Sequence, residues 1–340
     1  MNSPMKFSID DEAVANFLAL QESQFIESPS YFRDALIERL TVGSQEFGDE
    51  MPWSKTAGCF RLRPGEVSLW AGINGHGKSM LLGQIALWLM PHSVVTIASL
   101  EMKPDATMLR LMRQASGSES PTVDYANKWI DWADGKLWIY DELDSVRTDR
   151  ILAMVHHAAT TLKSNHIIID SLMKCVAGTD DYSGQKDFID RLTRMAKKYN
   201  VHIHIVHHMR KGHSEEQIPD KFDVKGAGEI TDQVDNLCIV HRNKSKERQI
   251  EKGEDVEKYI PDATLRIAKQ RHGEWEGDFA LWFHKQSQQY IPKPGHGAMP
   301  WPYPGATILD HTVTTSQENS SRPLGENPAG FPEFPETGIQ

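Results

Sequence analysis

Residues 65–79 read Gly65-Glu66-Val67-Ser68-Leu69-Trp70-Ala71-Gly72-Ile73-Asn74-Gly75-His76-Gly77-Lys78-Ser79, an apolar run that ends in a glycine-rich turn. A helix-like apolar pattern follows over residues 80–90. Residues 72–79 fit the pattern G-x-x-x-x-G-K-[ST] of a phosphate-binding P-loop. Because a strand precedes the turn and a helix follows it, as phosphate binding requires, the stretch predicts a site for a nucleoside triphosphate.

The residue types in this turn match the chemistry of a bound phosphate. Glycines let backbone N–H groups turn inward with no Cβ atom in the way, and the following helix directs its positive end at the same anion. Lys78 would reach the β- and γ-phosphates, and the Ser79 hydroxyl would ligate Mg²⁺. The sequence therefore predicts ATP, or another NTP or dNTP, with Mg²⁺. The residues predicted to contact the nucleotide here are Gly72, Asn74, Gly75, His76, Gly77, Lys78 and Ser79.

The composition is that of a globular protein without a broad basic surface. Of the 340 residues, 39% are hydrophobic and 25% are charged, and the formal net charge is −10. This charge argues against a protein coated in basic surface for nucleic acid, although it allows a narrow basic channel. No apolar run approaches the ~18 residues that span a bilayer, so no membrane partner is expected. The three distant cysteines favour reduced thiols in a cytoplasm-like compartment.

The pattern along the chain indicates three regions. Residues 1–50 read as a helical appendage and linker, in which residues 28–40 favour a helix opened by Ser-Pro. Residues 51–290 alternate between strand-like and helix-like runs. Residues 291–340 hold nine of the 18 prolines and more acidic than basic residues, which predicts a disordered tail. This tail is either a plain solvating extension, the favoured interpretation, or a segment that docks a partner.

The central region predicts an α/β fold, with a mostly parallel sheet flanked by helices and a C-terminal antiparallel hairpin. Continuous apolar runs such as Ile167-Ile168-Ile169 suit strands that are buried on both faces. Helices are predicted near residues 79–90, 104–116, 148–163 and 184–199. Strands are predicted over residues 66–71, 94–99, 137–140, 166–170, 201–207 and 236–241, with a closing hairpin of 264–268 and 279–283.

Two acidic residues extend the predicted site. Asp170 ends the apolar strand 166–170, the position from which an aspartate holds Mg²⁺ through water in P-loop proteins. Hydrolysis also needs a carboxylate that polarises the attacking water. Because Ser171 follows Asp170, another acid must serve, and Glu101 lies just past the strand 94–99, which is expected beside the P-loop strand. Its alternative role is that of an acid that begins a helix ahead of Pro104.

These motifs, in this order, make the chain resemble the hexameric replicative DNA helicases of the DnaB type and their phage and mitochondrial relatives. The resemblance rests on the P-loop, the run Ser99-Leu100-Glu101-Met102, the run Ile167-Ile168-Ile169-Asp170 and the segments described below. It covers roughly residues 50–290. It implies a RecA-like P-loop NTPase fold and the role of catalytic base for Glu101.

Residues 201–211 read Val-His-Ile-His-Ile-Val-His-His-Met-Arg-Lys. His202 and His204 would share one face of a strand, but no cysteine or carboxylate pattern completes a zinc site, so histidines satisfied within the sheet are favoured over a metal site. The resemblance implies a Gln or His at the end of this strand that senses the γ-phosphate. His208 fits that place, with His207 as the alternative.

A polar, charged segment follows and leads into Asp223-Val224-Lys225-Gly226-Ala227-Gly228. In the resembling helicases such a run lines the central channel and holds single-stranded DNA, usually with Arg at the position of Lys225. A cation contacts phosphate, and glycines let backbone amides approach it. Without the resemblance, a flexible surface loop would be favoured, and residues 175–186 are another candidate channel loop. The resemblance implies DNA contacts from Arg210, Lys211, Lys225, Gly226 and Gly228.

The predicted hairpin carries Lys269-Gln270-Arg271-His272-Gly273. The family has a K-x-R-x-G run here, whose basic residues reach the γ-phosphate of a neighbouring subunit. The resemblance therefore implies catalytic roles for Lys269 and Arg271, with Arg271 as the arginine finger. A basic hairpin tip is the alternative. Arg242 and Phe283 lie near the positions that sandwich the base in the phage relatives.

Together the motifs predict an NTP-dependent replicative DNA helicase that translocates on single-stranded DNA as a ring-shaped homo-oligomer, expected as a hexamer. Hydrolysis is expected at subunit boundaries. Candidate partners are a primase, a polymerase or a loader, and the expected compartment is the cytoplasm of a bacterium or phage-infected host cell. Two alternatives are a RecA-like recombination or repair ATPase and a regulatory P-loop ATPase directed at protein, the latter favoured by the charge of −10.

Overall fold

One mixed β-sheet organises the fold. The computed structural model describes residues 28–42, 47–143, 146–176, 181–209, 217–225 and 227–301. The strands are β1 (Val67–Gly72), β2 (Val95–Ser99), β3 (Leu137–Ile139), β4 (His166–Asp170), β5 (His202–His208), β6 (Asn236–Arg242), β7 (Ala263–Gln270), β8 (Gly277–His284) and β9 (Gln289–Ile291). Their order is β3-β2-β4-β5-β1-β6-β7-β8-β9, parallel from β3 to β6 and antiparallel from β6 to β9.

Helices cover both faces of this sheet. One core cluster joins apolar side chains of the sheet to the helices that follow β1 and β2, and the other joins them to the helices before and after β4. The helices of the described residues are α1 (Arg33–Val42), α2 (Lys78–Leu89), α3 (Pro104–Ser116), α4 (Val123–Ala133), α5 (Thr148–Thr160), α6 (Tyr182–Tyr199), α7 (Ala227–Thr231) and α8 (Lys244–Glu251). The predicted α/β fold class is confirmed.

Strand β4 shows why the sheet is buried on both sides. Ile168 belongs to one core cluster, whereas Ile167 and Ile169 belong to the other. Successive side chains of a strand point to opposite faces, so a continuous apolar run supplies both clusters at once. Because β1, β2, β4 and β5 run parallel, they all end at the same edge of the sheet, and the loops that follow them meet there.

Strand order corrects one expectation. The strand before Glu101 was expected beside the P-loop strand, but β4 and β5 lie between β2 and β1. Glu101 still reaches the P-loop because all four strands end at the carboxyl edge, where ligands of open α/β sheets bind.

Among the described α-helices and strands, four lie outside the predicted set. They are α4, α7, α8 and β9. Helix α4 begins after Thr122, whose hydroxyl accepts a hydrogen bond from the backbone N–H of Tyr125. Strand β9 has three residues and pairs with β8, so its apolar pattern is too short to be recognised without its partner. The closing hairpin is therefore part of a three-stranded antiparallel extension.

The packed chain continues past residue 290, where the sequence predicts the start of the tail. Ile291 is buried, Met299 packs against the core, and Trp301 is 7% exposed. The remainder of the predicted tail, residues 302–340, lies outside the described residues, as do residues 1–27 of the predicted appendage. Among the helices that are described, none is both long and apolar enough to cross a membrane.

Helix α1 and the 3₁₀ turn before it, Pro29–Phe32, carry apolar side chains that the described part of the chain does not cover. Five large apolar side chains of residues 31–40 are more than half exposed. Leu36 and Leu40 are four residues apart within α1, and such residues lie on one side of a helix. The set is Tyr31, Phe32, Leu36, Ile37 and Leu40.

Candidate nucleotide site and nucleic-acid interface

The glycine-rich turn joins β1 to α2 at the carboxyl edge of the sheet. Gly75 and Gly77 have φ angles of +78° and +86°, a left-handed conformation that glycine adopts without steric cost. A Cβ atom on Gly77 would also collide with the Tyr290 hydroxyl, and one on Gly72 would lie 2.5 Å from the carbonyl oxygen of Val240. The turn therefore needs glycine for its backbone shape and for its close approach to neighbouring strands.

A cavity of about 350 Å³ opens beside this turn. It combines the turn with side chains from the ends of β4 and β5, from α3 and from the residues that follow β2. The residues predicted on separate motifs thus face one space. The lining includes Asn74, Gly75, Gly77, Lys78, Ser79, Glu101, Arg110, Asp170 and His208.

Lys78 is folded onto its own loop. Its Nζ donates hydrogen bonds of 2.8 Å to the carbonyl oxygen of Gly72 and 3.1 Å to that of Ile73, and the residue is 6% exposed. Burial lowers the pKa of Lys78 to about 8, although the carboxylates of Asp170 and Glu101 favour its charged form. A phosphate oxygen is a stronger acceptor than a carbonyl, so a bound phosphate would exchange with these contacts.

Asp170 and Ser79 bring two side-chain oxygen groups together in the lining of the cavity. Asp170 is 8% exposed and accepts a hydrogen bond from Ser79. Burial raises the pKa of Asp170, with the nearby Glu101 acting in the same direction, while Ser79 and Lys78 oppose the shift. One carboxylate and one hydroxyl beside a phosphate site suit Mg²⁺, which prefers oxygen ligands and keeps several waters. The residues present therefore fit the predicted ion.

Glu101 lies at the mouth of the cavity. The Ser171 hydroxyl donates a 2.9 Å hydrogen bond to Oε1 of Glu101, and Nε2 of His208 lies 3.8 Å from the same oxygen. The Glu101 side chain is 45% exposed. The carboxylate is thus held in one direction by Ser171 while water can reach it, an arrangement suited to polarising an attacking water.

His207 and His208 face different surroundings. His208 lines the cavity, and burial together with Lys78 lowers its pKa. His207 is fully buried, and its Nε2 lies 2.8 Å from the carbonyl oxygen of Lys225. Because a carbonyl only accepts hydrogen bonds, Nε2 of His207 carries the hydrogen. Of the two alternatives, the cavity contains His208.

Lys225 follows a segment that is attached to the end of β5. The Lys225 N–H lies 3.4 Å from the carbonyl oxygen of His208, and Val224 forms an antiparallel bridge with Met209. Gly228 lies in α7 and is exposed. The cavity and the predicted DNA segment are therefore connected through two consecutive histidines. Arg210, Lys211 and Gly226 lie outside the described residues.

Lys269 and Arg271 lie at the opposite edge of the sheet. The Lys269 Nζ contacts three backbone carbonyl oxygens, at 2.7 Å from Thr231, 3.2 Å from Asp232 and 2.9 Å from Val234. Nη1 of Arg271 lies 3.0 Å from Oδ1 of the buried Asp235. Both cations therefore hold the segment between α7 and β6 within this chain, and neither lines the cavity at the P-loop.

His202 and His204 are satisfied within the sheet, as predicted. Nε2 of His202 lies 2.8 Å from the Ser68 hydroxyl, and Trp70 donates a 3.2 Å hydrogen bond to Nδ1 of His204. Burial, more than any neighbouring charge, lowers the pKa of His202 to about 3 and that of His204 well below its usual value. The described residues contain no group of three or more His, Cys, Asp or Glu side chains arranged to hold a metal ion.

Comparison with known proteins identifies the family. The profile of the family described as DnaB-like helicase C terminal domain matches residues 55–291. This chain belongs to that family.

Two curated relatives support this assignment for a DnaB-like domain. Over 204 residues the chain is 27% identical to a DNA helicase/primase of Enterobacteria phage T3, which covers 53% of this chain and 36% of that protein. Over 234 residues it is 22% identical to a chloroplastic/mitochondrial Twinkle homolog protein of Arabidopsis thaliana, which covers 63% of this chain and 33% of that protein. The match spans about a third of the length of either relative.

Solved structures show the same fold. A DnaB-like replicative helicase, described with its interactions with primase, has a TM-score of 0.63 at 17% identity over 83% of this chain and 70% of that one. A second solved structure, described as an ATPase domain, has a TM-score of 0.62 at 18% identity over 78% of this chain and 99% of that one. The likeness confirms the predicted RecA-like architecture.

Arg242 and Phe283, predicted to sandwich the base, lie beside the P-loop of this DnaB-like chain. The backbone N–H of Arg242 donates a 3.1 Å hydrogen bond to Nδ1 of His76, and the Arg242 side chain pairs with Glu247. The Phe283 ring lies 5.4 Å from the ring of Tyr290, whose hydroxyl adjoins Gly77. Burial lowers the pKa of His76 to about 4, so its neutral ring can accept the bond from Arg242.

Arg110 is a cavity residue that the sequence motifs missed. It lies on α3, lines the cavity with Ser79 and Asp170, and donates a hydrogen bond to the sulfur atom of Met102. No carboxylate of the described chain lies within ion-pair distance of it. Burial lowers the pKa of Arg110, while the charge of Asp170 opposes the shift. A sequence pattern could have indicated Arg110. It lies three residues after the buried Thr107, so it is a charged residue on the buried side of an amphipathic helix.

Proposed function

We propose that this DnaB-like chain is an ATP-dependent DNA helicase that translocates on single-stranded DNA as a ring-shaped oligomer and hydrolyses NTP at subunit boundaries. The observation that carries the proposal is the separation between Arg271 and the cavity of its own chain. Arg271 adjoins the beginning of β6, where its backbone N–H donates a 2.8 Å hydrogen bond to the carbonyl oxygen of Asp235. The P-loop adjoins the end of β6, at Arg242.

For Arg271 to act on a nucleotide, this separation calls for a second copy of the chain. Six residue steps of about 3.3 Å separate Asn236 from Arg242, or roughly 20 Å. No arginine side chain spans that length, so Arg271 serves a nucleotide only when another subunit brings its own cavity against this edge. A closed ring of identical head-to-tail contacts supplies such a boundary for every subunit. A hexamer remains the expected ring.

The cavity supports hydrolysis of a nucleoside triphosphate. Lys78 would exchange its two carbonyl contacts for phosphate oxygens, and the backbone amides of the turn would hold the same group. Mg²⁺, held by Ser79 and through water by Asp170, would supply positive charge to the phosphates. Glu101 would take a proton from the water that attacks the γ-phosphorus, while the bond to the leaving oxygen breaks. Arg271 of the neighbouring subunit would neutralise the developing charge.

Coupling to DNA would run through the end of β5. His208 faces the cavity and its backbone contacts the segment that carries Lys225. A change at the γ-phosphate that moves His208 would therefore move Lys225, which would hold the DNA backbone together with Arg210, Lys211, Gly226 and Gly228. Lys269 would add a second link, because it holds the carbonyls that follow α7.

The first experiment measures NTP hydrolysis by the wild type and by Lys225→Ala, with and without single-stranded DNA, in Mg²⁺ at low salt. We expect DNA to stimulate hydrolysis and Lys225→Ala to lose the stimulation while basal hydrolysis persists. Lys252→Ala, which removes an exposed lysine at the end of α8, is the matched control. Hydrolysis that DNA never stimulates would contradict the proposal and favour a protein-directed ATPase, which the net charge of −10 also suits.

A second experiment tests the shared site by mixing two inactive variants. Arg271→Ala retains the P-loop but lacks the finger, whereas Lys78→Ala retains the finger but lacks the P-loop lysine. Mixed assemblies contain boundaries at which an intact P-loop meets an intact Arg271, so we expect hydrolysis to reappear on mixing. Hydrolysis that stays absent at every ratio would exclude action across a boundary. Unwinding of a forked duplex then separates a helicase from a recombination ATPase.

Helix α1 would contribute to ring assembly. The exposed apolar side chains of α1 and of the turn before it, namely Tyr31, Phe32, Leu36, Ile37 and Leu40, suit burial against an adjacent subunit, because a short helix with uncovered apolar side chains is marginal alone. Deletion of residues 1–42 should therefore dissociate the oligomer in light scattering. An unchanged mass would exclude this role and leave the proposal for the cavity intact. A primase, polymerase or loader remains a candidate partner.

A further inference from the structure

Phe222 is an exposed aromatic ring on a turn that is otherwise fixed. It lies in a short 3₁₀ helix, Lys221–Asp223, and is 70% exposed. Val224, two residues later, is fully buried. The same short turn therefore buries one apolar side chain and presents a larger one to solvent.

Several contacts fix the orientation of this turn. Asp220 and Asp223 form a capping box, in which the Asp220 N–H donates a 2.8 Å hydrogen bond to Oδ2 of Asp223. Nη1 of Arg266 donates a 3.1 Å hydrogen bond to the carbonyl oxygen of Pro219. On the other side, Val224 is bridged to Met209 at the end of β5. An aromatic ring held in this way loses little conformational freedom when it binds a partner.

One lysine lies close to the ring in space, and a second follows it in the sequence. Nζ of Lys221 lies 5.4 Å from the centre of the Phe222 ring, and Lys225 follows three residues later. The carboxylates of Asp220 and Asp223 accept hydrogen bonds from backbone N–H groups of the turn, so both are directed at the turn. Proteins that hold single strands combine such cations, for the phosphates, with aromatic rings on which bases stack.

We propose that Phe222 stacks on an unpaired base of the single-stranded DNA held by Lys225. The inference rests on the proposed function and adds a contact to a base where that function needs only contacts to phosphates. The link from Lys225 to His207 and His208 places the ring on the same segment as the proposed nucleotide-dependent contact. Translocation would then shift a stacked base as well as a phosphate.

The test compares two labelled strands of equal length, an oligodeoxythymidylate and an abasic backbone, in anisotropy titrations of the full chain. The wild type should bind the strand with bases about tenfold more tightly, the order expected for stacking of one base. Phe222→Ala should lose this difference and leave abasic binding unchanged, whereas Phe222→Trp should keep it. Tyr259→Ala removes an exposed aromatic ring of another loop, 81% exposed, and should behave as the wild type.

The contrary outcomes are distinct. If the wild type binds both strands and Phe222→Ala does not change the ratio of the two affinities, this inference is overturned and the proposed function stands. A changed oligomer mass for Phe222→Ala, with unchanged discrimination between the strands, also overturns it and assigns the ring to a contact between copies of this chain. A wild type that binds neither strand overturns the inference and the proposed function together.

Discussion

The side chain of His207 and the backbone of Lys225 are joined by a hydrogen bond of 2.8 Å, donated by Nε2 to the carbonyl oxygen. The next residue, His208, faces the cavity beside the P-loop. Because side chains alternate along a strand, consecutive histidines serve opposite sides of β5. One attaches the predicted DNA segment, and the other meets the predicted nucleotide.

Replacement of His207 should therefore change mainly the stability of the chain, whereas replacement of His208 should change mainly the coupling between nucleotide and DNA. His207→Ala leaves the partly buried carbonyl of Lys225 without its donor and removes a fully buried ring, so we expect the free energy of unfolding to fall by about 1–3 kcal/mol. His208→Ala should change stability little, but a nucleotide analogue should no longer alter DNA affinity, whereas His208→Gln should retain that effect. Urea unfolding and DNA titrations with and without the analogue measure both. Equal effects of the two substitutions on nucleotide-dependent DNA binding would contradict this division.

Replacement of Glu101 should separate hydrolysis from binding. Glu101→Gln keeps the shape of the side chain and its contact with Ser171 but cannot accept the proton of the attacking water. We expect hydrolysis to fall by about 10²–10⁴-fold while nucleotide affinity persists. Hydrolysis and analogue binding are measured in parallel, with the exposed Glu119→Gln as the control. Wild-type hydrolysis by Glu101→Gln would assign the base to another residue.

Two glycines of the P-loop should show different steric costs. Gly75→Ala meets no atom within 4 Å, so it isolates the left-handed backbone, at about 1–2 kcal/mol. Gly77→Ala should cost more, because its Cβ would also meet the Tyr290 hydroxyl. Tyr290→Phe removes that oxygen and should restore part of the stability of Gly77→Ala while changing little alone. Thermal unfolding of the four variants measures these differences, and equal losses for the two glycines would exclude the collision.

Replacement of Arg110 should lower nucleotide affinity and change the stability of the fold little. Its guanidinium lines the cavity near Asp170 without an ion pair in the described chain, so Arg110→Met removes a partly desolvated charge and should preserve the melting temperature. Nucleotide affinity should fall by about tenfold, the order of one charge-assisted hydrogen bond. Arg113→Met, on the same helix but outside the cavity, is the control. Calorimetric binding that is unchanged for Arg110→Met would show that the side chain does not reach the nucleotide.

Stability should fall in mild acid. Burial lowers the pKa of His202 to about 3 and the pKa values of His76 and His207 to about 4. In the unfolded chain these rings titrate near their ordinary pKa of about 6.5, so below that pH the unfolded state binds more protons. The contribution of these histidines to the free energy of unfolding should be at its maximum above about pH 6.5. It should decrease towards pH 4, by up to about 1.4 kcal/mol per pH unit for each histidine.

Urea unfolding across this pH range tests the effect. His202→Gln should flatten the slope, because the buried ring that resists protonation is removed. His296→Asn replaces an exposed histidine and should leave the slope unchanged. A free energy of unfolding that does not vary between pH 6.5 and 4 would contradict the assignment of these rings as buried and neutral.

The sequence by itself determined the class of the fold and the chemistry of its first motif. The alternation of apolar strands with helices can be recognised from short stretches of sequence. The same holds for the turn that combines glycines with Lys78 and Ser79. Asp170 and Glu101 could be located because Asp170 ends one apolar strand and Glu101 follows another, and parallel strands end at one edge. These features depend on local physics, namely the spacing of apolar residues, the conformational freedom of glycine and the charge of a side chain.

Only the tertiary structure decided which histidine faces the cavity, that Arg110 enters it, and that β4 and β5 separate the strand of Glu101 from the P-loop strand. It also decided that Arg271 lies at the far edge of the sheet and that Phe222 is exposed on a fixed turn. Each depends on contacts between residues far apart in the chain. The physical reason is that burial and partner choice are properties of the packed molecule, so no local pattern contains them.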